Sequence, residues 1–111
     1  MKLENERIPD QFKIDVMTVN DIPGVQVIER YSFPTPWSMR AFVSEITEND
    51  CAHYLVMRRG RQVVGYVGMW LIIDEGHITN IAVHPAWRRR GIGTRLLNAI
   101  AAHAYRLGAR R

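Results

Sequence analysis

The sequence predicts an α/β domain of α+β character, in which one strand and two helices lead into a three-stranded antiparallel meander and a closing helix. Three observations carry that expectation. The apolar pattern changes period at His53, from helical spacing to runs rich in β-branched and aromatic residues. Turn residues at Arg59-Gly60 and at Asp74-Glu75-Gly76 cut the second half into strands. After Gly93 the helical spacing returns and holds to Ala104.

In chain order, Ile14, Val16 and Thr18 alternate with Asp15, Met17 and Val19, a weak strand pattern. Asn20 or Asp21 suits a helix cap and Pro23 a first helical turn, and Ile22, Val25, Ile28 and Glu29 share one side of the short helix that follows. The prolines of FPTPW, at 34 and 36, force an extended link. Ser38 caps a second helix reaching the neighbourhood of Thr47, with Phe42, Val43 and Ile46 as its buried side. HYLVMRRGRQVVGYVGMWLII reads as two strands, and HITNIAV, residues 77–83, as the third. Gly65 and Gly68 inside the long strand signal bulges or close backbone approach. Pro85 stops the third strand. The last helix buries Leu96, Leu97, Ile100, Ala101 and Ala104, and Gly108 ends it.

The 111 residues fit one domain, 1–111, and 47% apolar with 23% charged residues is the balance of a globular chain, not a disordered one. The lone Cys51 excludes an internal disulfide and a thiolate zinc site. No apolar run approaches the roughly 20 residues that span a bilayer, and MKLENERIPD lacks the apolar core of a signal peptide. A cytoplasmic protein without a membrane partner is expected. His53, His84 and His103 do not fall at metal-ligand spacing, so no metal is expected.

Charge is unevenly placed. Residues 1–75 hold eight Lys and Arg against eleven Asp and Glu, whereas 76–111 hold seven arginines and no acid. That third of the chain calls for an anionic partner. The sharpest feature is HPAWRRRGIGTRLLNAI, where Arg88, Arg89 and Arg90 run into Gly91, Ile92, Gly93 and Thr94 at a helix start. Cations repel the positive end of a helix dipole, and an anion seated there reverses the cost. Glycines let backbone N–H groups approach a bulky anion, and the first N–H groups of a helix have no internal partner. The turn therefore reads as a pyrophosphate cradle, with Arg88, Arg89, Arg90 and Arg95 beside it. It is not a P-loop, because no GxxxxGK[ST] occurs, and Leu96 stands where the dinucleotide fingerprint needs its third glycine.

Arg88, Gly91 and Gly93 do match R-x-x-G-x-G, the signature of the GNAT acetyltransferases, whose loop holds the pyrophosphate of coenzyme A. With FPTPW after the first helix and DEGHITNIAVHPAWRRRGIGTRLL later, residues 12–110 resemble the RimI branch, the ribosomal-protein-alanine N-acetyltransferases, and their N-terminal acetyltransferase relatives. The resemblance implies acetyl-CoA as cofactor and an N-terminal α-amine of a protein, such as a ribosomal protein, as acceptor. It also implies that the backbone of Ile81, Ala82 and Val83 bonds the pantetheine arm. Arg88, Arg89, Arg90, Gly91, Ile92, Gly93 and Thr94 bind the pyrophosphate, and Pro36 and Trp37 border the peptide. The family's fifth strand, its catalytic glutamate and its later tyrosine acid have no counterpart here. The catalytic residues are accordingly unassigned, and the expectation is a GNAT domain incomplete at its C-terminus, weak or inactive as a fragment. Glu75, His77 and Tyr66 are the nearest groups, and each has a bland reading: turn acid, strand-start histidine, sheet packing.

Two further expectations follow. The third meander strand would expose an unpaired edge, which favours a homodimer. The basic third also admits an alternative from another class, a nucleic-acid-binding module without catalysis, although its arginines lack the interleaved aromatics of a stacking platform.

Overall fold

The β-rich half forms where β-branched and aromatic residues concentrate. In the computed structural model, which describes residues 11–111, β1 (Phe12–Val16), β2 (Ala52–Arg59), β3 (Gln62–Ile72) and β4 (Glu75–Val83) make one antiparallel sheet in that order. MKLENERIPD, read above for targeting signals, lies outside the described residues. The second hairpin is tighter than the turn residues suggested. β4 begins at Glu75 because Ile73 takes a left-handed φ of 58° and reverses the chain two residues early.

Three helices cover the sheet. α1 (Ile22–Ser32) carries Pro23 in its first turn, and α2 (Met39–Glu48) is capped by the Ser38 hydroxyl, which accepts from the Ala41 N–H at 3.1 Å. Asp21 precedes α1, but its carboxylate turns back to Thr18 N–H (2.8 Å) and to the guanidinium of Arg58 (2.7 Å). α1 and α2 pack on one face of the sheet with Phe42, Tyr54, Val56 and Tyr66, and α3 (Ile92–Arg106) packs on the other with Leu55, Met57, Val64 and Val67.

Two expectations about buried faces need correction. α3 buries Ile92, Leu96, Ile100 and Ala104, a row at four-residue spacing, whereas Leu97 is 44% exposed and Ala101 is exposed too. Both sit one step round the helix, over the flank beyond β4, where no described element covers them. On α2, Phe42 is buried as expected, Val43 and Ile46 are half-buried, and the position between them and the sheet goes to the carboxylate of Glu45.

Register shifts occur at two places in β3, which is where Gly65 and Gly68 pointed. One lies between Met57 and Arg58, opposite the extra residue Val64 next to Gly65, the other between Gly68 and Met69 opposite Thr79. The second has consequences. Thr79 is an extra residue in β4, so alternation fails there and the consecutive side chains of Thr79 and Asn80 both reach the α1 and α2 face: Thr79 lies 3.4 Å from the Tyr54 hydroxyl and Asn80 3.2 Å from that of Tyr66. Gly68 makes the room, because a Cβ there would lie 2.6 Å from Asn80 Oδ1 and nearer still to the Tyr54 ring.

Candidate active site

Strand geometry decides what β4 offers. The N–H of His84 donates to Val64 O at 2.8 Å. Bonded pairs alternate along an antiparallel ladder, so Ala82, opposite Tyr66, is the next bonded residue and the N–H and C=O of Ile81 and Val83 turn to the open edge. Of the expected trio, Ile81 and Val83 present backbone groups outward, while Ala82 contributes a buried methyl.

The chain then passes through a short 3-10 turn, Pro85–Trp87, whose start is capped by His84 Nδ1 accepting from Ala86 N–H at 3.1 Å. Arg89 (φ 66°) and Gly91 (φ 79°) are both left-handed, and Gly91 caps α3 without any side-chain hydrogen bond. The first N–H groups of α3 are thus free for a ligand. The three arginines divide. All three are solvent-exposed, but Arg88 reaches back along β4, donating from Nε to Val83 O at 2.9 Å and from Nη2 to the Ser32 hydroxyl at 3.2 Å. Arg90 lies over the ring of Trp87, with Arg59 also within stacking distance of that ring and Phe12 against its edge. Arg89 is exposed. Trp87, which the sequence left without a role, is the anchor of this turn; its place immediately before the arginine run was the available signal.

These elements enclose a groove of about 470 Å³ lined by Tyr31, Phe33, Ile81, Val83, Arg88 and Gly93. Ile81, Ala82 and Val83 therefore meet Arg88 and Gly93 of the expected turn in one groove, whereas Arg89, Arg90, Gly91 and Thr94 do not line it and the Ile92 side chain is buried in the core beneath α3. A second pocket of about 320 Å³ adjoins it, sharing Phe33 and continuing along β4 to Thr79 and Asn80, with Glu29, Pro34, Thr35 and Trp37 as its other walls. Trp37 lines it as expected. Pro36 is exposed in the same loop and does not line it.

The floor of the second pocket went unread in the sequence. Glu29 is 2% exposed. One of its carboxylate oxygens accepts from the backbone N–H of Trp37 at 3.1 Å and the other from the Tyr66 hydroxyl, which in turn accepts from Asn80 Nδ2. Glu45 repeats the arrangement beneath α2, accepting from Tyr54 (3.0 Å), Trp70 Nε1 (2.6 Å) and Asn49 (3.2 Å). Burial, then the nearby Glu29 carboxylate, holds Tyr66 well above the usual phenol range; burial does the same at Tyr54, against Thr79 and with Glu45. Both hydroxyls stay protonated donors. An acid at a helical core position was the one sequence signal for this layer.

The other groups weighed lie elsewhere. Glu75 and His77 bond each other at 3.1 Å and Glu75 meets Arg111, at the hairpin end of β4 and away from both pockets. Cys51 is exposed. His53 and His103 pair ring to ring at 5.8 Å, and no group of three or more metal-binding side chains occurs among the described residues. No helix among them is long and apolar enough to cross a membrane.

The acetyltransferase (GNAT) family model matches residues 22–111. A Bacillus subtilis relative, named as a putative [ribosomal protein bS18]-alanine N-acetyltransferase, is 40% identical over 83 residues, covering 75% of this chain and 55% of the relative. The chain thus spans little more than half the length of that protein. Among solved structures, the ribosomal-protein-S18-alanine N-acetyltransferase of Escherichia coli superposes with a TM-score of 0.78 at 23% identity, over 88% of this chain and 62% of that one. An N-acetyltransferase of Thermoplasma acidophilum in complex with coenzyme A gives 0.69 at 13% identity, over 87% and 74%. Both likenesses are of fold.

Proposed function

Because the chain belongs to the acetyltransferase (GNAT) family, we propose that it takes up acetyl-CoA in the groove along β4 and passes the acetyl group to the N-terminal α-amine of a protein held in the adjoining pocket. One observation carries this reading: the groove along Ile81 and Val83, which reaches Gly93 at the uncapped start of α3, and the second pocket lie side by side with Phe33 as a common wall. The residues present suit a pyrophosphate. Gly91 is left-handed, no side chain caps α3, and Arg88 and Arg89 flank the turn. When bound, acetyl-CoA supplies the thioester. The chain's own share is to hold the pyrophosphate with the N–H groups from Gly91 to Thr94 and the pantetheine arm with Ile81 and Val83. The Val83 region also offers an N–H toward the developing negative charge. Holding both reactants against each other is the main contribution of such a site.

The names of the relatives support an N-terminal alanine of a ribosomal protein as acceptor, and the cytoplasm as the place of action fits that acceptor. The open flank of β4 favours pairing between two copies. A nucleic-acid role is disfavoured by where other arginines go: Arg90, Arg110 and Arg111 are engaged with Trp87, Tyr105 and Asp74 of the same chain. Calorimetry with acetyl-CoA tests the reading. The wild-type chain binds, an Arg88→Glu, Gly91→Glu double variant does not, and a folded wild-type chain that takes up no acetyl-CoA overturns it.

A further inference from the structure

Burying a carboxylate is costly unless a cation or several hydrogen bonds answer it. Glu29 is buried with two neutral donors, Trp37 N–H and the Tyr66 hydroxyl, one on each oxygen, and no ion-pair partner among the described residues. Each oxygen retains a lone pair. Packing does not need the charge, because the same helix face is otherwise apolar, with Ile22, Val25 and Ile28 fully buried. The carboxylate nevertheless borders the pocket of Phe33, Thr35, Trp37, Thr79 and Asn80. Asp21, the buried acid just before α1, shows the contrast, since Arg58 answers it at 2.7 Å, while the buried Glu45 has three neutral donors to Glu29's two.

Resting on the acetyltransferase reading, we propose that Glu29 is the counter-charge that reads the acceptor, receiving the α-ammonium of a peptide N-terminus in this pocket. The missing cation is the substrate. The pocket's other features agree. Thr79 Oγ1 and Asn80 Oδ1 are adjacent acceptor atoms brought to the same wall by the β4 bulge, so an ammonium's remaining hydrogens find partners there. Phe33 and Trp37 offer apolar walls that suit a small first side chain and exclude water from the pair. Trp37 itself is held in place at both backbone polar groups by α1, its N–H by Glu29 and its carbonyl by Gln26 Nε2 at 3.3 Å. The same carboxylate therefore sets the loop and recognises the amine.

The experiment compares a peptide with a free N-terminal alanine and its N-acetylated twin, titrated calorimetrically into the whole chain with coenzyme A present. The wild type is expected to prefer the free amine by at least about tenfold, the size of one charge-assisted hydrogen bond. Glu29→Gln should erase that preference by weakening only the free peptide, with affinity for the capped peptide and for coenzyme A retained. Equal weakening of both peptides would reduce Glu29 to loop support, and an undiminished preference would remove it from recognition; either outcome overturns the proposal. A second measurement needs no variant: the carboxyl carbon resonance of Glu29 should shift on adding the free peptide and not the capped one, and its failure to move overturns the proposal as well. A wild-type chain that takes up no coenzyme A defeats the acetyltransferase reading alone, since the carboxyl titration still decides what Glu29 binds.

Discussion

The two faces of the sheet are built on different principles. Beneath α1 and α2 lie Glu29, Glu45, Tyr54, Tyr66, Trp70, Thr79 and Asn80, joined by directional bonds that set distances between elements. Beneath α3 the buried side chains are Leu55, Met57, Val64, Val67, Ile92, Leu96 and Ile100, aliphatic or thioether throughout. The aliphatic face holds a helix in place, and that helix begins at Gly91 without a side-chain cap. The face beneath α1 and α2 also holds a geometry, and three of its polar residues, Glu29, Thr79 and Asn80, border the second pocket. One side of the sheet adheres through apolar packing alone, whereas the other joins positioning bonds to an apolar layer of its own, in which Ile22, Val25, Ile28, Phe42 and Val56 are fully buried.

The largest expected effect breaks the adhesive side. Leu96 is fully buried, and Leu96→Ala should lose about 2–5 kcal/mol of stability in denaturant titrations. Leu96→Met, similar in volume and free of directional bonds, should lose less than about 1.5 kcal/mol. An equal loss from both would show that this face is as exacting as the other.

Next comes the positioning side. Gly68→Ala forces a methyl against Tyr54 and Asn80, at a cost of about 1–3 kcal/mol, and it should displace Asn80 from the Tyr66 hydroxyl. Chemical shifts at Asn80 Nδ2 should move, with those of Leu96 and Ile100 unchanged. Shifts spreading to α3 would mean that the two faces are not independent.

The smallest effect concerns the link between β2 and the start of α1. Burial pushes the Asp21 carboxyl up, but the bonds from Arg58 and Thr18 outweigh it and hold it below its ordinary value of 3.8. With a depressed folded-state pKa, its stabilisation is fully present above that value and is lost as pH falls through the lower, folded-state one. Arg58→Met should therefore cost about 1 kcal/mol at neutral pH. The gap from wild type should close in strong acid; a gap independent of pH would assign the effect to Arg58's packing.

Much of this was legible in the residues. Period and turn chemistry place every described strand and helix to within a few residues, because those signals are local. The arginine-glycine turn was legible for the same reason: free N–H groups and left-handed glycine are properties of a short segment. Leu97 and Ala101 were misread because helical spacing defines a stripe without saying how wide a neighbour covers it. Glu29 and Glu45 were unread as a layer because their partners lie far away in sequence, on β3, β4 and the Pro36-Trp37 loop.

The sequence by itself determined the elements, their order, the arginine-glycine turn and the family resemblance. Tertiary structure alone decided that Arg88 and Arg90 are held by Val83 and Trp87, that a bulge at Thr79 turns two neighbours to one face, and that the Glu29 carboxylate, without an ion-pair partner among the described residues, borders the second pocket. The division follows from range. Backbone conformation is set by neighbours along the chain, whereas desolvation, charge pairing and pocket walls depend on what the fold brings together through space.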